Sequence, residues 1–103
     1  MDRIAALKEL LAENPTDAFA RYGLAMEYSK AGDLTGALAE FNTIMQHNPD
    51  YVPAYQMAGQ MLMDAGRIEE ARKLFESGIA SARRSGNQHA ASEMQGMLDV
   101  LPL

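Results

Sequence analysis

The chain contains no cysteine and no tryptophan, and only four prolines and two histidines occur among its 103 residues. The absence of cysteine excludes disulfides, thiolate metal ligands and a cysteine nucleophile. No apolar run approaches the roughly 18 residues of a membrane span. Charged side chains also interrupt the stretch 1–15, unlike the apolar core of a secretory signal. We therefore expect a soluble cytoplasmic protein that does not associate with a membrane.

Basic residues are scarce as well, since nine Lys and Arg stand against 14 Asp and Glu and the formal net charge is −5. Non-specific affinity for nucleic acid comes mainly from Lys and Arg, so this balance argues against a nucleic-acid partner. A chain of this length can bury roughly 60–70% of its unfolded surface, which is enough for one domain without a metal or disulfide.

One pattern occurs twice in this sequence. Residues 31–41 read AGDLTGALAEF, and residues 65–75 read AGRIEEARKLF. The Asn-Pro dipeptides that begin at Asn14 and Asn48 are separated by the same interval as these two stretches. Because two different turn signals share one period, the chain is predicted to be built from repeats.

Apolar residues between these turn signals recur at helical spacing, as at Ala20, Leu24 and Tyr28. Gly32 and Gly66 are predicted to adopt the left-handed conformation that ends a helix. The predicted helices cover residues 2–13, 16–31, 34–47, 50–65, 68–84 and 87–100. The residues predicted to cap or open them are Thr16 or Asp17, Asp50, Pro53 and Asn87.

These features resemble the tetratricopeptide repeat family, whose unit is a pair of antiparallel helices of about 34 residues. The residues at that family's characteristic positions are Leu24, Ala25, Tyr28, Gly32, Ala37, Phe41 and Pro49 in one unit, and Tyr55, Gly59, Gly66, Ala71 and Phe75 in the next. The resemblance implies an all-α, right-handed α-solenoid of antiparallel helix pairs. It implies a single domain 1–103, with full repeats at 18–51 and 52–85. A half-repeat helix at 2–13 and a capping helix at 87–100 flank them.

Reactive groups do not converge in this sequence. His47 and His89 are far apart in the sequence, and we expect neither of them to join a carboxylate in a metal site. Phosphate loops, nucleophile elbows and dinucleotide-binding glycine patterns are missing too. We therefore expect no catalysis, no metal and no cofactor.

The side of each first helix that lies opposite its packed stripe is predicted to carry the function. The candidate residues there are Phe19, Tyr22, Met26, Lys30, Gln56, Met57, Gln60, Met63 and Met94. Methionine adapts to varied apolar partners, and glutamine both donates to and accepts from a peptide backbone. The pattern predicts a protein partner that supplies a peptide or an amphipathic helix. The alternative, that these side chains only pack repeat against repeat, stays open.

Self-association is a second hypothesis, because the ends of a helical repeat expose apolar surface. A homodimer is predicted to use Ile4, Leu7 and Leu11 of the first helix, or Leu101 and Leu103 of the apolar C-terminal segment.

Overall fold

The computed structural model describes residues 2–102, which form six α-helices and contain no strand. The helices are α1 (Arg3–Glu13), α2 (Ala18–Lys30), α3 (Leu34–His47), α4 (Val52–Asp64), α5 (Ile68–Arg84) and α6 (Gln88–Val100). The predicted all-α fold is confirmed. Every helix end lies within two residues of its predicted position, and the bounds of α3 and α5 agree with the prediction.

Short acidic or amide side chains begin most of these helices. Asp17 Oδ1 accepts the backbone N–H of Ala20 at 3.1 Å, and Asn87 Oδ1 accepts that of Ala90 at 3.0 Å, so both predicted caps are confirmed. The prediction for Asp50 is wrong. The cap residue of α4 is Tyr51, without a side-chain capping hydrogen bond, and Asp50 instead pairs with Arg84 Nε at 2.9 Å.

Glycine ends α2 and α4 as predicted, since Gly32 has φ +80° and Gly66 has φ +77°. Gly86, which the sequence analysis did not single out, has φ +72° just after α5. Residues other than glycine rarely adopt this left-handed backbone conformation, so the three glycines allow the chain to reverse direction with short turns.

The chain divides into two compact units, residues 1–48 and residues 49–103. In unit 1, α2 packs on both α1 and α3. In unit 2, α5 packs on both α4 and α6, and α4 also touches α6. The division falls three residues before the predicted boundary between the repeats, and the exact repeat limits stay a prediction.

The core of unit 1 centres on Phe41, which is fully buried, and on small residues that let the helices approach. The Arg21 guanidinium donates hydrogen bonds to Glu40 Oε1 at 2.7 Å and to the Pro15 carbonyl at 2.7 Å. A charged residue therefore joins α2 to α3 and to the preceding turn. A smaller cluster packs α1 on α2 and includes Leu11, Ala20 and Leu24.

This smaller cluster corrects the self-association prediction for Leu11. Leu11 is buried, and Ile4 and Leu7 are partly buried against it, because α2 covers this side of α1. Leu11 is therefore not available to a second chain in this conformation, and the prediction for Ile4 and Leu7 stays a prediction.

The core of unit 2 contains Phe75, which is fully buried. Two side chains of this unit also donate hydrogen bonds to a single backbone carbonyl. The Pro49 carbonyl accepts the Tyr55 hydroxyl at 2.8 Å and the buried Ser81 hydroxyl at 2.9 Å. Burial raises the pKa of Tyr55 above its usual value of 10.0. The positive charge of Arg84 lowers this pKa, and the negative charge of Asp50 raises it, but burial has the largest effect.

The C-terminal segment also belongs to this unit, which corrects a second prediction. Leu101 is buried, and the Arg72 guanidinium donates a hydrogen bond to the Pro102 carbonyl. Leu101 is therefore not available to a second chain in this conformation. Leu103 lies outside the described residues.

Candidate functional site

A groove of about 400 Å³ runs between α1 and α2 of unit 1. Its lining residues are Arg3 and Leu7 from α1, and Phe19, Tyr22, Gly23, Met26, Glu27 and Lys30 from α2. All four unit 1 residues of the predicted binding face are among them. They share one side of α2 because they recur at three- and four-residue intervals.

The aromatic residues of this groove differ in how they are held. Phe19 is 80% exposed although it is a large apolar side chain. Tyr22 is half-buried, and its ring meets that of Phe41 edge-on, with centroids 5.7 Å apart and an interplanar angle of 71°. Tyr22 is therefore fixed by the core of unit 1, whereas Phe19 is solvent-exposed.

Gly23 forms part of the groove where α1 and α2 come together. A Cβ atom placed on Gly23 would lie 3.4 Å from Leu7 Cδ2, which is van der Waals contact. The missing side chain at this position leaves room that a methyl group would fill. Leu7 contributes the apolar wall of α1.

Charge is concentrated around Glu27. The Glu27 carboxylate lies 3.3 Å from Arg3 Nε and 3.4 Å from Lys30 Nζ. Two cations therefore share one anion, which leaves an excess of one positive charge, and the side chains of Arg3 and Lys30 are 69% and 73% exposed. Both cations can approach a ligand carboxylate.

The remaining predicted residues lie in unit 2. Gln56, Met57, Gln60 and Met63 are half-buried on α4. The side-chain amide of Gln56 donates to Glu93 Oε1 at 3.0 Å, and that of Gln60 donates to Asp64 Oδ1 at 3.1 Å. Both glutamines are therefore already engaged within unit 2, although each keeps its amide oxygen as an acceptor.

Met94 is wrongly predicted to lie on the binding face. It is fully buried, because Gly78 has no side chain and the Met94 sulfur fills that space: a Cβ on Gly78 would stand 2.5 Å from it. A partner cannot reach Met94 in this conformation.

Three residues of the groove were missed by the sequence analysis: Arg3, Gly23 and Glu27. The helical period could have found Gly23 and Glu27, since they lie one and two further turns along the same side of α2 as Phe19. Nothing in the sequence assigns Arg3, because its position depends on how α1 packs against α2. Leu7 was expected in a dimer and lines the groove instead.

A second depression, of about 320 Å³, lies on α1 and is lined by Ala6, Glu9, Leu10 and Glu13. Leu10 is 54% exposed at this position. By contrast, the residues of α1 predicted from the sequence to be exposed are Ile4, Leu7 and Leu11.

Within residues 2–102, no three His, Asp or Glu side chains are close enough together to hold a metal ion. His89 Nε2 lies 3.4 Å from Glu93 Oε1, one turn away on α6, and both side chains are at least half exposed. No helix among the described residues is long and apolar enough to cross a membrane.

Two models of the tetratricopeptide repeat family match the sequence, one over residues 28–93 and another over residues 1–54. The chain belongs to this family. Repeats of the family generally mediate interactions between proteins and act as non-catalytic scaffolds. A TPR repeat-containing protein of Pseudomonas aeruginosa is 31% identical over 98 residues, which are 95% of this chain and 93% of the relative.

Solved structures agree with this assignment. A tetratricopeptide repeat domain protein from Salinibacter ruber is 35% identical and has a TM-score of 0.77, with 82% of this chain and 86% of that chain covered. The TPR2B domain of yeast Sti1, solved in a complex with pHsp70, has a TM-score of 0.83 over 92% of this chain and 76% of its own. At 19% identity, this last similarity concerns the fold alone.

Proposed function

We propose that this chain is a non-catalytic adaptor that binds a peptide or a short helix of another protein in the groove between α1 and α2. The observation that carries the proposal is the 80% exposure of Phe19 at the edge of that groove. The α4 residues Gln60 and Met63 provide a separate contact surface for the same kind of ligand.

Repeat packing does not account for Phe19. Phe19 is the second residue of α2, and the second residues of α4 and α6, Pro53 and His89, are exposed as well. A position that is exposed in all three helices gains no folding stability from an aromatic ring. An exposed aromatic side chain beside an apolar groove is typical of a surface that binds a partner.

The charges of the groove favour a ligand with an acidic group beside its apolar anchor. Arg3 and Lys30 leave one positive charge after pairing with Glu27. A ligand carboxylate that reached these cations would add a directed contact to the burial of an apolar side chain near Phe19 and Met26.

Selection from a peptide library on the immobilised protein tests this proposal. Selected peptides are expected to contain an apolar anchor near an acidic residue. Burying the ring of Phe19 is worth about 1.5–3 kcal/mol, so Phe19→Ser is expected to weaken binding by roughly 10- to 150-fold. Met26→Glu is expected to weaken it further, because it buries a charge.

Val100 provides the matched control, since it is an apolar residue that is 72% exposed on α6, outside the groove. Val100→Ser is expected to leave peptide binding unchanged. A library that yields no binder contradicts the proposal. So does a selected peptide that binds folded Phe19→Ser and Met26→Glu variants as tightly as the unaltered chain.

Self-association is a second candidate function, and one observation favours it. Leu10 is 54% exposed, whereas its equivalent one repeat later, Ile44, is 1% exposed and the next equivalent, Gly78, is buried. Leu10 is therefore an exposed apolar residue at a position that is buried in the two later repeats.

A further inference from the structure

We propose that two copies of this chain associate through α1, as an antiparallel helix pair related by a twofold axis. The inference rests on the self-association just proposed and assigns it a surface, an orientation and a pairing of residues. The surface consists of Arg3, Ala6, Leu10 and Glu13, which we call the α1 seam.

The α1 seam has the spacing of a two-helix coiled coil. Its residues follow one another at intervals of three, four and three, so they form one narrow stripe along α1. This stripe lies beside the cluster that packs α1 on α2, because Leu11 is the buried residue of α1. A second helix can therefore lie on the seam without displacing α2.

Unit 2 gives an internal precedent for such a helix. In the repeat period, α1 corresponds to α5 and α2 corresponds to α6. Helix α5 is covered by α4 as well as by α6, and a Cβ on Gly78 would stand 2.7 Å from Tyr55 Cβ of α4. Leu10 occupies the position of Gly78 on α1, and within unit 1 no helix of the described residues takes the place of α4.

The charges on the seam select a second copy of α1 in the antiparallel orientation. Centring the pair between Ala6 and Leu10 places Arg3 opposite Glu13 of the second copy, at both ends of the seam. A parallel pair would set Arg3 against Arg3 and Glu13 against Glu13, which is unfavourable. Arg3 already contacts Glu27, but its side chain is 69% exposed and a guanidinium has five N–H donors.

The shapes of the central residues are complementary in the same register. Leu10 of one copy lies opposite Ala6 of the other, so a large side chain meets a small one twice. The depression of about 320 Å³ beside Ala6 and Leu10 receives the incoming leucine. A large residue that enters a space beside a small one is the packing that brings two helices together.

The dimer is expected to be weak and to depend on concentration. The 11 residues of α1 span only about 16 Å, so the contact is smaller than the roughly 1,600 Å² that stable complexes bury. Sedimentation equilibrium over about a hundredfold range of concentration is therefore the suitable measurement. Leu10→Ser is expected to raise the dimer dissociation constant by about tenfold or more.

A charge exchange tests the orientation. Arg3→Glu alone and Glu13→Arg alone each place like charges together at both ends of the seam, so both variants are expected to be monomers. When the two variants are mixed in equal amounts, each end of the seam again pairs opposite charges, and dimers are expected to return. Lys8→Glu is the matched control for Arg3→Glu, because it changes the charge of the same helix equally at an exposed position outside the seam.

Cysteine cross-linking tests the register, since the chain has no cysteine of its own. Under mild oxidation, a mixture of Ala6→Cys and Leu10→Cys chains is expected to form a disulfide between the two kinds of chain. Disulfides require Cβ atoms about 3.5–4.5 Å apart, so Ala12→Cys, at an exposed position away from the seam, is expected to cross-link far less.

The two proposals about self-association can fail separately. A chain that stays monomeric throughout the concentration range overturns both of them. A dimer that forms equally well with Arg3→Glu, Glu13→Arg and Lys8→Glu overturns the α1 seam and leaves self-association through another surface. Circular dichroism confirms that each variant retains its helices, so a loss of dimer is not a loss of fold.

Discussion

Replacing Gly59 by alanine is expected to destabilise unit 2, although alanine is the better helix former. Gly59 is buried in α4, and a Cβ placed there would stand 2.6 Å from Phe75 Cε1 and 2.9 Å from two further ring atoms. Favourable contacts between carbon atoms begin near 3.5 Å, so the ring must move by about 0.9 Å. Phe75 is fully buried and has little room to move.

The net effect follows from two opposing contributions. Alanine in place of glycine within a helix gains about 0.5–1 kcal/mol. Overpacking a close-packed core costs about 1–3 kcal/mol. Gly59→Ala is therefore expected to lower the free energy of unfolding by about 1–2 kcal/mol.

Gly96 is the matched control, because it lies within α6 and a Cβ there would meet nothing within 4 Å. Gly96→Ala is expected to raise the free energy of unfolding by about 0.5–1 kcal/mol, from the change in helix propensity alone. The two substitutions are chemically identical, so their difference isolates the contact with Phe75.

Urea denaturation followed by circular dichroism measures both effects from the shift of the midpoint at constant slope. The two variants are expected to differ by about 2 kcal/mol, or roughly 8–16 °C in melting temperature. If Gly59→Ala is as stable as Gly96→Ala, the close packing of Gly59 on Phe75 does not govern the stability of unit 2, and the reasoning is refuted.

Three further substitutions probe single features. Because burial raises the pKa of Tyr55 above 10.0, the folded state keeps this proton longer than the unfolded state does, and stability is lost as pH rises above about 10; Tyr55→Phe is expected to lose less stability between pH 9 and pH 11 in urea titrations. Asp33→Ala removes the 2.8 Å cap on the Gly36 N–H and is expected to lower the unfolding free energy by about 1 kcal/mol, whereas an unchanged urea midpoint would contradict this role. A Cβ on Gly66 would meet nothing within 4 Å, but this residue has φ +77°, which is unfavourable for alanine. Gly66→Ala is therefore expected to lower the free energy of unfolding by about 1–2 kcal/mol in thermal melts, whereas Gly96→Ala is expected to raise it.

Helix existence and type followed from local signals in the sequence. The Asn-Pro and Ala-Gly dipeptides and the spacing of apolar residues placed all six helices to within two residues. Asp50 shows the limit of such signals. A carboxylate before a helix normally caps it, but Arg84, at the far end of α5, binds this one in unit 2.

The candidate site was predictable in part. The period of α2 brought Phe19, Tyr22 and Met26 to one side, and the groove contains all three. The burial of Met94 was not predictable from its own helix, because it depends on the missing side chain of Gly78 on α5. Periodicity gives the side of a helix on which a residue lies, but not whether another helix covers that side.

The sequence by itself determined that this chain is a helical repeat with one period and a fixed set of turn residues. Those features are local, since they depend on φ at glycine, caps at helix starts and spacing along one helix. Only the tertiary structure decided which apolar residues remain exposed. Leu7, Leu10 and Leu11 are neighbouring leucines of one helix, yet one lines a groove, one faces solvent and one is buried, because exposure depends on which neighbouring helix packs on each side of α1.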